Sequence, residues 1–235
     1  MTEKKTEVEF DLSGLSVMIA MPCYRGTVPV EAVASLLQAQ AMLRNMGVLT
    51  SFMYMAENAL IDMCRNHIVH NFLKDCECQK LLFIDDDIIF KPEDLVRLVA
   101  YSTKYNVVAA TYPSRTKEPT FYVNFLDNKP RCNDDGLMPI DGVGMGFVCI
   151  DRKLLEEIKP ELETYVFKGE TISRYFQIGV IEGKLRGEDM YFFNMLVHRF
   201  KKAVYLDPGI ELQHWGHFNF DYKFTDYINK EFSNG

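Results

Sequence analysis

Three carboxylates, Asp85-Asp86-Asp87, follow directly on the apolar run Leu81-Leu82-Phe83-Ile84. Such a run suits a strand buried on both faces of a sheet, and ligands of open α/β sheets bind at the carboxyl ends of strands. Adjacent carboxylates repel one another, more so when partly buried, and a divalent cation relieves that repulsion. Hard cations such as Mg²⁺ or Mn²⁺ prefer oxygen ligands and are often shared with substrate phosphates. A second acidic pair, Glu188-Asp189, follows Gly187. It reads either as the acidic first turn of a helix, stabilised by the helix dipole, or as a general base with its neighbour. Arg25 and Arg65 are candidate phosphate or base contacts, and His214 and His217, in Gln213-His214-Trp215-Gly216-His217, are candidate metal ligands. The glycines of Gly142-Val143-Gly144-Met145-Gly146 permit close backbone approach. Their spacing is not that of a dinucleotide fingerprint, and they do not open a helix.

These groups are far apart in sequence, so the elements between them must bring them together. Residues 15–21 read as a buried first strand, with the loop Pro22-Cys23-Tyr24-Arg25-Gly26 at its carboxyl end. Pro29 and Gly47 bracket a helix, whose expected apolar face is Val30, Val33, Leu37, Ala41 and Leu43. A second strand spans 48–55. A helix over 58–73 carries Ile61, Cys64, Ile68 and Phe72 on its apolar face, with Arg65 and Asn66 off it. The acidic-tipped strand, a helix from Pro92 and a strand over 107–111 follow. This β-α-β-α-β-α-β order predicts a mostly parallel sheet covered on both faces. Residues 117–139 read as a hairpin or excursion, 147–150 as a strand, 153–158 as a helix and 161–181 as a mobile loop. A helix over 190–200 and a strand over 203–206 close the series. With neither repeat nor linker, the expectation is a loose tail over 1–11 and one domain over 12–235.

The 235 residues, 48% hydrophobic, suffice for a real core. A net charge of −7 argues against general nucleic-acid binding. The longest uncharged stretch, residues 12–24, is too short to span a bilayer. No signal peptide is evident. The six cysteines form no zinc framework, and a reducing, cytoplasmic setting is expected.

The order of these motifs resembles the GT-A glycosyltransferases, in particular the family 2-like group, and in size the small virus-encoded sugar transferases. The resemblance runs from about residue 17 to 216. It is carried by Met21-Pro22-Cys23-Tyr24, Arg65-Asn66, Asp85-x-Asp87, residues 142–146, Gly187-Glu188-Asp189 and His214-Trp215-Gly216. It implies a three-layer α/β/α sandwich and transfer of a sugar from a UDP- or GDP-sugar to a hydroxyl of a glycan or glycoprotein, with inversion favoured. By this resemblance Asp87, Asp85 and His214 hold Mn²⁺ or Mg²⁺, and Asp189 is the base with Glu188 as neighbour or substitute. Pro22 and Tyr24 flank the nucleobase, Arg25 or Arg65 meets phosphate or base edge, and Gly144 lets backbone approach the sugars. Asp86 in the middle of the motif leaves the register open, since Asp85-Asp86 or Asp86-Asp87 could be the working pair. His217 is the rival ligand to His214. A metal-dependent nucleotidyltransferase or phosphohydrolase is the alternative enzyme, though no P-loop lysine motif is present. A nucleotide-sugar binding module on an inactive scaffold is the non-enzymatic reading.

Overall fold

The computed structural model describes residues 10–56, 59–116, 118, 120–216 and 219–232. Strand β1 (Ser16–Cys23), helix α1 (Val30–Asn45), β2 (Leu49–Ala56), α2 (Ile61–Asp75) and β3 (Lys80–Ile84) form the first half of the layered core. The short β4 (Ile88–Ile89) and α3 (Pro92–Tyr101) lead to β5 (Val107–Ala109), β6 (Val123–Phe125), β7 (Met138–Val143), β8 (Phe147–Asp151) and α4 (Arg152–Ile158). Two hairpins follow, β9 (Thr164–Phe167) with β10 (Glu170–Ser173) and β11 (Gly179–Ile181) with β12 (Lys184–Arg186). Helix α5 (Glu188–Asn194) continues as a π-helical segment, Met195–Arg199, before β13 (Val204–Leu206). The chain then forms β14 (Gln213–Trp215), β15 (Asn219–Phe220) and α6 (Phe224–Phe232).

The central sheet has eight strands in the order β2-β1-β3-β8-β5-β13-β7-β6. Strands β2, β1 and β3 are parallel, as are β5 and β13, while β8 runs against both β3 and β5. Strand β7 is antiparallel to β13 and β6, so within this sheet β7 and β8 oppose the general direction. The apolar run of β3 is continuous because both of its faces are covered. Leu81 and Phe83 enter one core with Cys64, Ile68 and Phe72 of α2 and Phe192 and Phe193 of α5. Leu82 and Ile84 enter the other with Leu36 and Leu43 of α1 and Leu95 and Leu98 of α3. Each such fully buried side chain contributes roughly 1.5–3 kcal/mol over its exposed state. The result is the α/β/α sandwich expected from the sequence.

Three expectations differ from the structure. Helix α1 buries Ala32, Leu36, Ala39 and Leu43, whereas Val30 and Leu37 are exposed. The helix is apolar around much of its girth, so its sequence does not fix which stripe meets the sheet. The stretch over 161–181 is not a loop: β9–β10 packs on α2, and the backbone hydrogen bonds within each hairpin replace the period that the sequence lacks. Of the expected tail, residues 1–9 lie outside the described residues. Phe10 packs edge-on against Tyr101 with ring centroids 5.1 Å apart, and Leu12 is buried. Among the described residues no helix is long and apolar enough to cross a membrane.

Candidate functional site

At the end of β3 the chain makes a tight turn. Asp85 N–H donates to the Gly146 carbonyl (3.0 Å) and Ile88 N–H to the Asp85 carbonyl (3.2 Å). The turn splays the three carboxylates, and each lies near a guanidinium. Asp85 accepts from both Arg65 terminal nitrogens (Nη1 to Oδ1, 3.0 Å; Nη2 to Oδ2, 3.1 Å), while Arg65 Nε donates to Glu188 Oε1 at 3.3 Å. Asp86 Oδ1 lies 4.0 Å from Arg25. Asp87 pairs with Arg115 and lies 3.6 Å from Arg25. Guanidinium groups thus supply the positive charge that the sequence assigned wholly to a metal.

Arg65 and Asn66 are both buried, not off the packed face as the hydrophobic spacing had placed them. Partners from distant segments make that burial tolerable. Arg65 has its two carboxylates. Asn66 Nδ2 donates to the Phe176 carbonyl and its Oδ1 accepts from Phe176 N–H, both at 2.8 Å. Burial alone would lower the Arg65 pKa, but Asp85 beside it reverses the direction and keeps the guanidinium charged. Asp86 is buried, which raises its pKa. Among the described residues its Oδ2 has no hydrogen-bond partner, and the weakly donating Cys23 thiol faces the carboxylate, with Arg25 nearby.

His214 reaches this turn because β14 pairs antiparallel with β4, His214 opposite Ile88, and Trp215 N–H donates to the Asp87 carbonyl at 2.8 Å. Its Nδ1 is 2.8 Å from the Pro113 carbonyl. A carbonyl only accepts, so Nδ1 carries the proton. Burial lowers the His214 pKa, and Nε2 faces Asp87 Oδ1, 3.5 Å away. Metal-binding histidines commonly have their tautomer fixed in this way by a carbonyl on the other nitrogen. The Tyr112 ring packs edge-on against the imidazole, centroids 4.9 Å apart. His217 lies outside the described residues. Among the described residues no cluster of three or more His, Cys, Asp or Glu could hold a metal by itself.

Glu188 and Asp189 form the first turn of α5. Asp189 Oδ1 accepts from Met190 N–H at 2.6 Å. Burial, with the Glu188 carboxylate beside it, pushes the Asp189 pKa up to about 6. A cleft of about 280 Å³ is shared by Pro22 and Tyr24, the three aspartates, Arg65 and the Glu188-Asp189 pair. Asp189 also lines a second cavity of about 160 Å³ with Tyr112, Tyr122 and Gly144. Gly144 and Gly146 make room for Tyr112, whereas Gly142 lies against Met190. A Cβ on Gly146 would sit 2.8 Å from the ring and 3.0 Å from Asp85 Oδ2, and one on Gly144 would strike the hydroxyl.

The structure therefore gathers Pro22, Tyr24, Arg25, Arg65, Asp85, Asp86, Asp87, Gly144, Glu188, Asp189 and His214 at one edge of the sheet. Sequence reasoning missed Tyr112, Pro113 and Arg115. They follow β5 as Pro22–Arg25 follow β1, so the strand-end rule applied to the first loop would have found them.

No family model matches the sequence, and no curated protein matches it. Among solved structures the chain is similar to A197 from STIV, with 18% identity and a TM-score of 0.54 over 86% of each chain. It is also similar to GalNAc-T7, solved with UDP, GalNAc and Mn²⁺, with 11% identity and a TM-score of 0.48 over 85% of this chain and 44% of that one. The first likeness shows the fold, and the chain has a GT-A-like α/β/α architecture.

Proposed function

We propose that residues 12–235 form one catalytic domain, a metal-dependent glycosyltransferase that moves a sugar from a UDP- or GDP-sugar to an acceptor hydroxyl with inversion. The observation that carries this reading is the facing pair of Asp87 Oδ1 and His214 Nε2, 3.5 Å apart. Both are lone-pair donors once Nδ1 holds the proton, and a divalent cation between them turns a repulsive contact into an attractive one. An oxygen and an imidazole nitrogen suit Mn²⁺ better than Mg²⁺. Asp87 and His214 would hold the metal, whose chemistry there would be to stabilise charge on a departing nucleoside diphosphate.

The chain's own groups do the rest. Tyr24 and Pro22 flank the base. Asp86 Oδ2, unpartnered among the described residues, accepts from a ribose hydroxyl or base N–H. Arg25 meets phosphate. Asp85, with both oxygens on Arg65, holds that guanidinium in place; in this proposal it no longer serves as a metal ligand. Asp189 stands between the nucleotide cleft and the second cavity, where it takes the proton of an acceptor hydroxyl on the face away from the leaving group.

The test is hydrolysis of a UDP- and GDP-sugar panel in Mn²⁺ without acceptor. Slow cleavage of one or two donors, abolished by EDTA, is the expected result. Cleavage of sugar-free nucleotides would mark a phosphohydrolase, and no cleavage at all a binding module. His214→Ala is expected to weaken Mn²⁺ binding and donor cleavage together; a variant that binds Mn²⁺ as the parent does moves the ligand elsewhere.

Arg115 gives the metal reading a second check. Its guanidinium pairs with Asp87, so it competes with a cation for that carboxylate. Arg115→Ala is expected to tighten Mn²⁺ binding several-fold in nucleotide-free titrations followed by electron paramagnetic resonance. Weaker Mn²⁺ binding in the variant would place the metal away from Asp87.

A further inference from the structure

A third cavity, of about 490 Å³, lies beyond the second. The two share Met190, the residue after Asp189. They also share a wall: Tyr122 lines the second cavity and Asn124 the third. Tyr122 immediately precedes β6 and Asn124 lies within it, so adjacent stretches of one segment line the two cavities. Asn124 Nδ2 lies 3.4 Å from Met190 Sδ, so the boundary is a flexible thioether that can move aside.

The lining is chemically specific. Asn124 and Asn194 offer amides that both donate and accept, Asp141 accepts, and Arg186 and His198 donate. Phe125 and Ile181 supply apolar surface. Among the described residues Asp141 Oδ1 is buried without a hydrogen-bond partner, and His198 Nε2 lies 3.6 Å from it. A ligand hydroxyl can donate to Asp141 and accept from His198, which satisfies both. Burial raises the Asp141 pKa, the cost of leaving this oxygen unmatched. The far wall is the β11–β12 hairpin, closed by Glu182 and Gly183, both in the left-handed region (φ 50° and 75°). Such two-residue turns match the twist of their strands, so the wall is preformed.

We propose that this cavity binds the second sugar of an oligosaccharide acceptor whose terminal hydroxyl faces Asp189. The word acceptor rests on the transferase reading; the carbohydrate site itself does not. Mixed amides, one unmatched carboxylate oxygen, an imidazole and a guanidinium fit hydroxyls. They do not fit a phosphate, which calls for cations alone.

The experiment is an NMR titration of the full chain with chitotriose, maltotriose and mannotriose, with a Ser/Thr-rich peptide as the competing arm. At least one trisaccharide is expected to perturb the Asn124 and Asn194 side-chain amide resonances at millimolar concentration. Arg186→Ala and His198→Ala, both at accessible positions, are expected to weaken that binding tenfold or more. Asp141→Asn, which keeps size but loses the charge, tests the unmatched oxygen and is expected to weaken it as well. No perturbation by any trisaccharide, perturbations that survive all three variants, or perturbations by the peptide alone overturn the proposal. Donor hydrolysis measured in parallel separates the two readings. Trisaccharide binding here without donor cleavage upholds the site and defeats the transferase, whereas donor cleavage without trisaccharide binding defeats the site alone.

Discussion

Asp189→Asn is expected to leave donor affinity unchanged while turnover falls about 10²–10⁴-fold, the range for losing a general base. The same substitution is expected to stabilise the fold at pH 7.5. The folded pKa of Asp189, about 6, exceeds the ordinary value near 3.9. A raised carboxylate pKa means that the native state resists ionisation. No cost applies below the unfolded pKa. The cost grows between about pH 4 and 6 and is constant above, at about 1.4 kcal/mol for every pH unit that separates the folded value from the unfolded one. Asn cannot ionise, and its oxygen can still accept from Met190 N–H. A denaturant midpoint that rises at pH 7.5 but not at pH 4, together with lost turnover, is therefore the signature of a base kept under electrostatic tension. In the parent protein kcat/KM is expected to rise with pH to a plateau above about 6. A collapse of donor binding in Asp189→Asn, with chemistry intact, would make the residue structural.

Arg65→Met is expected to be the most damaging single change to stability. The guanidinium is 3% exposed and joins Asp85 to Glu188. Its removal leaves two partly buried carboxylates facing each other and Asp189, and breaking a buried pair from one side costs about 3–5 kcal/mol. Arg65→Lys keeps the charge but cannot make the fork to Asp85 and the third bond to Glu188 together, so its loss should be intermediate. Chemical denaturation at pH 7 ranks the three proteins. The Asp189 pKa should also rise further in Arg65→Met, because Arg65 is one of the charges that hold it down; the acid limb of any pH–rate profile should move upward with it. Equal stability of Arg65→Met and the parent would show that the network contributes little.

The layered fold was legible in the chain because its evidence is local. A strand buried on both faces must be apolar at every position, so residues 81–84 announce themselves, and the alternation of such runs with helical stretches fixes the class. The acidic tip, the first loop and the Gly187-Glu188-Asp189 helix start were visible for the same reason, since strand ends and helix starts are short-range events. The phase of α1 was not legible, because a helix apolar around much of its girth is turned by what it packs against. The hairpins over 164–186 were not legible either, because short strands with exposed side chains have no period to read.

Local pattern was therefore enough to say which residues lie at the ends of elements, and hence which could share an edge of the sheet. Which of them meet was settled only when distant segments packed together. Arg65 looked like an off-face charge until Asp85 and Glu188 arrived from 20 and 123 residues away. His214 was a candidate by its local motif, but only the β14–β4 pairing set it beside Asp87, with its Nδ1–H donating to the Pro113 carbonyl. The physical reason is the same in both cases: a buried polar group is tolerated only by a partner that satisfies it, and that partner is brought by long-range packing that no local pattern encodes.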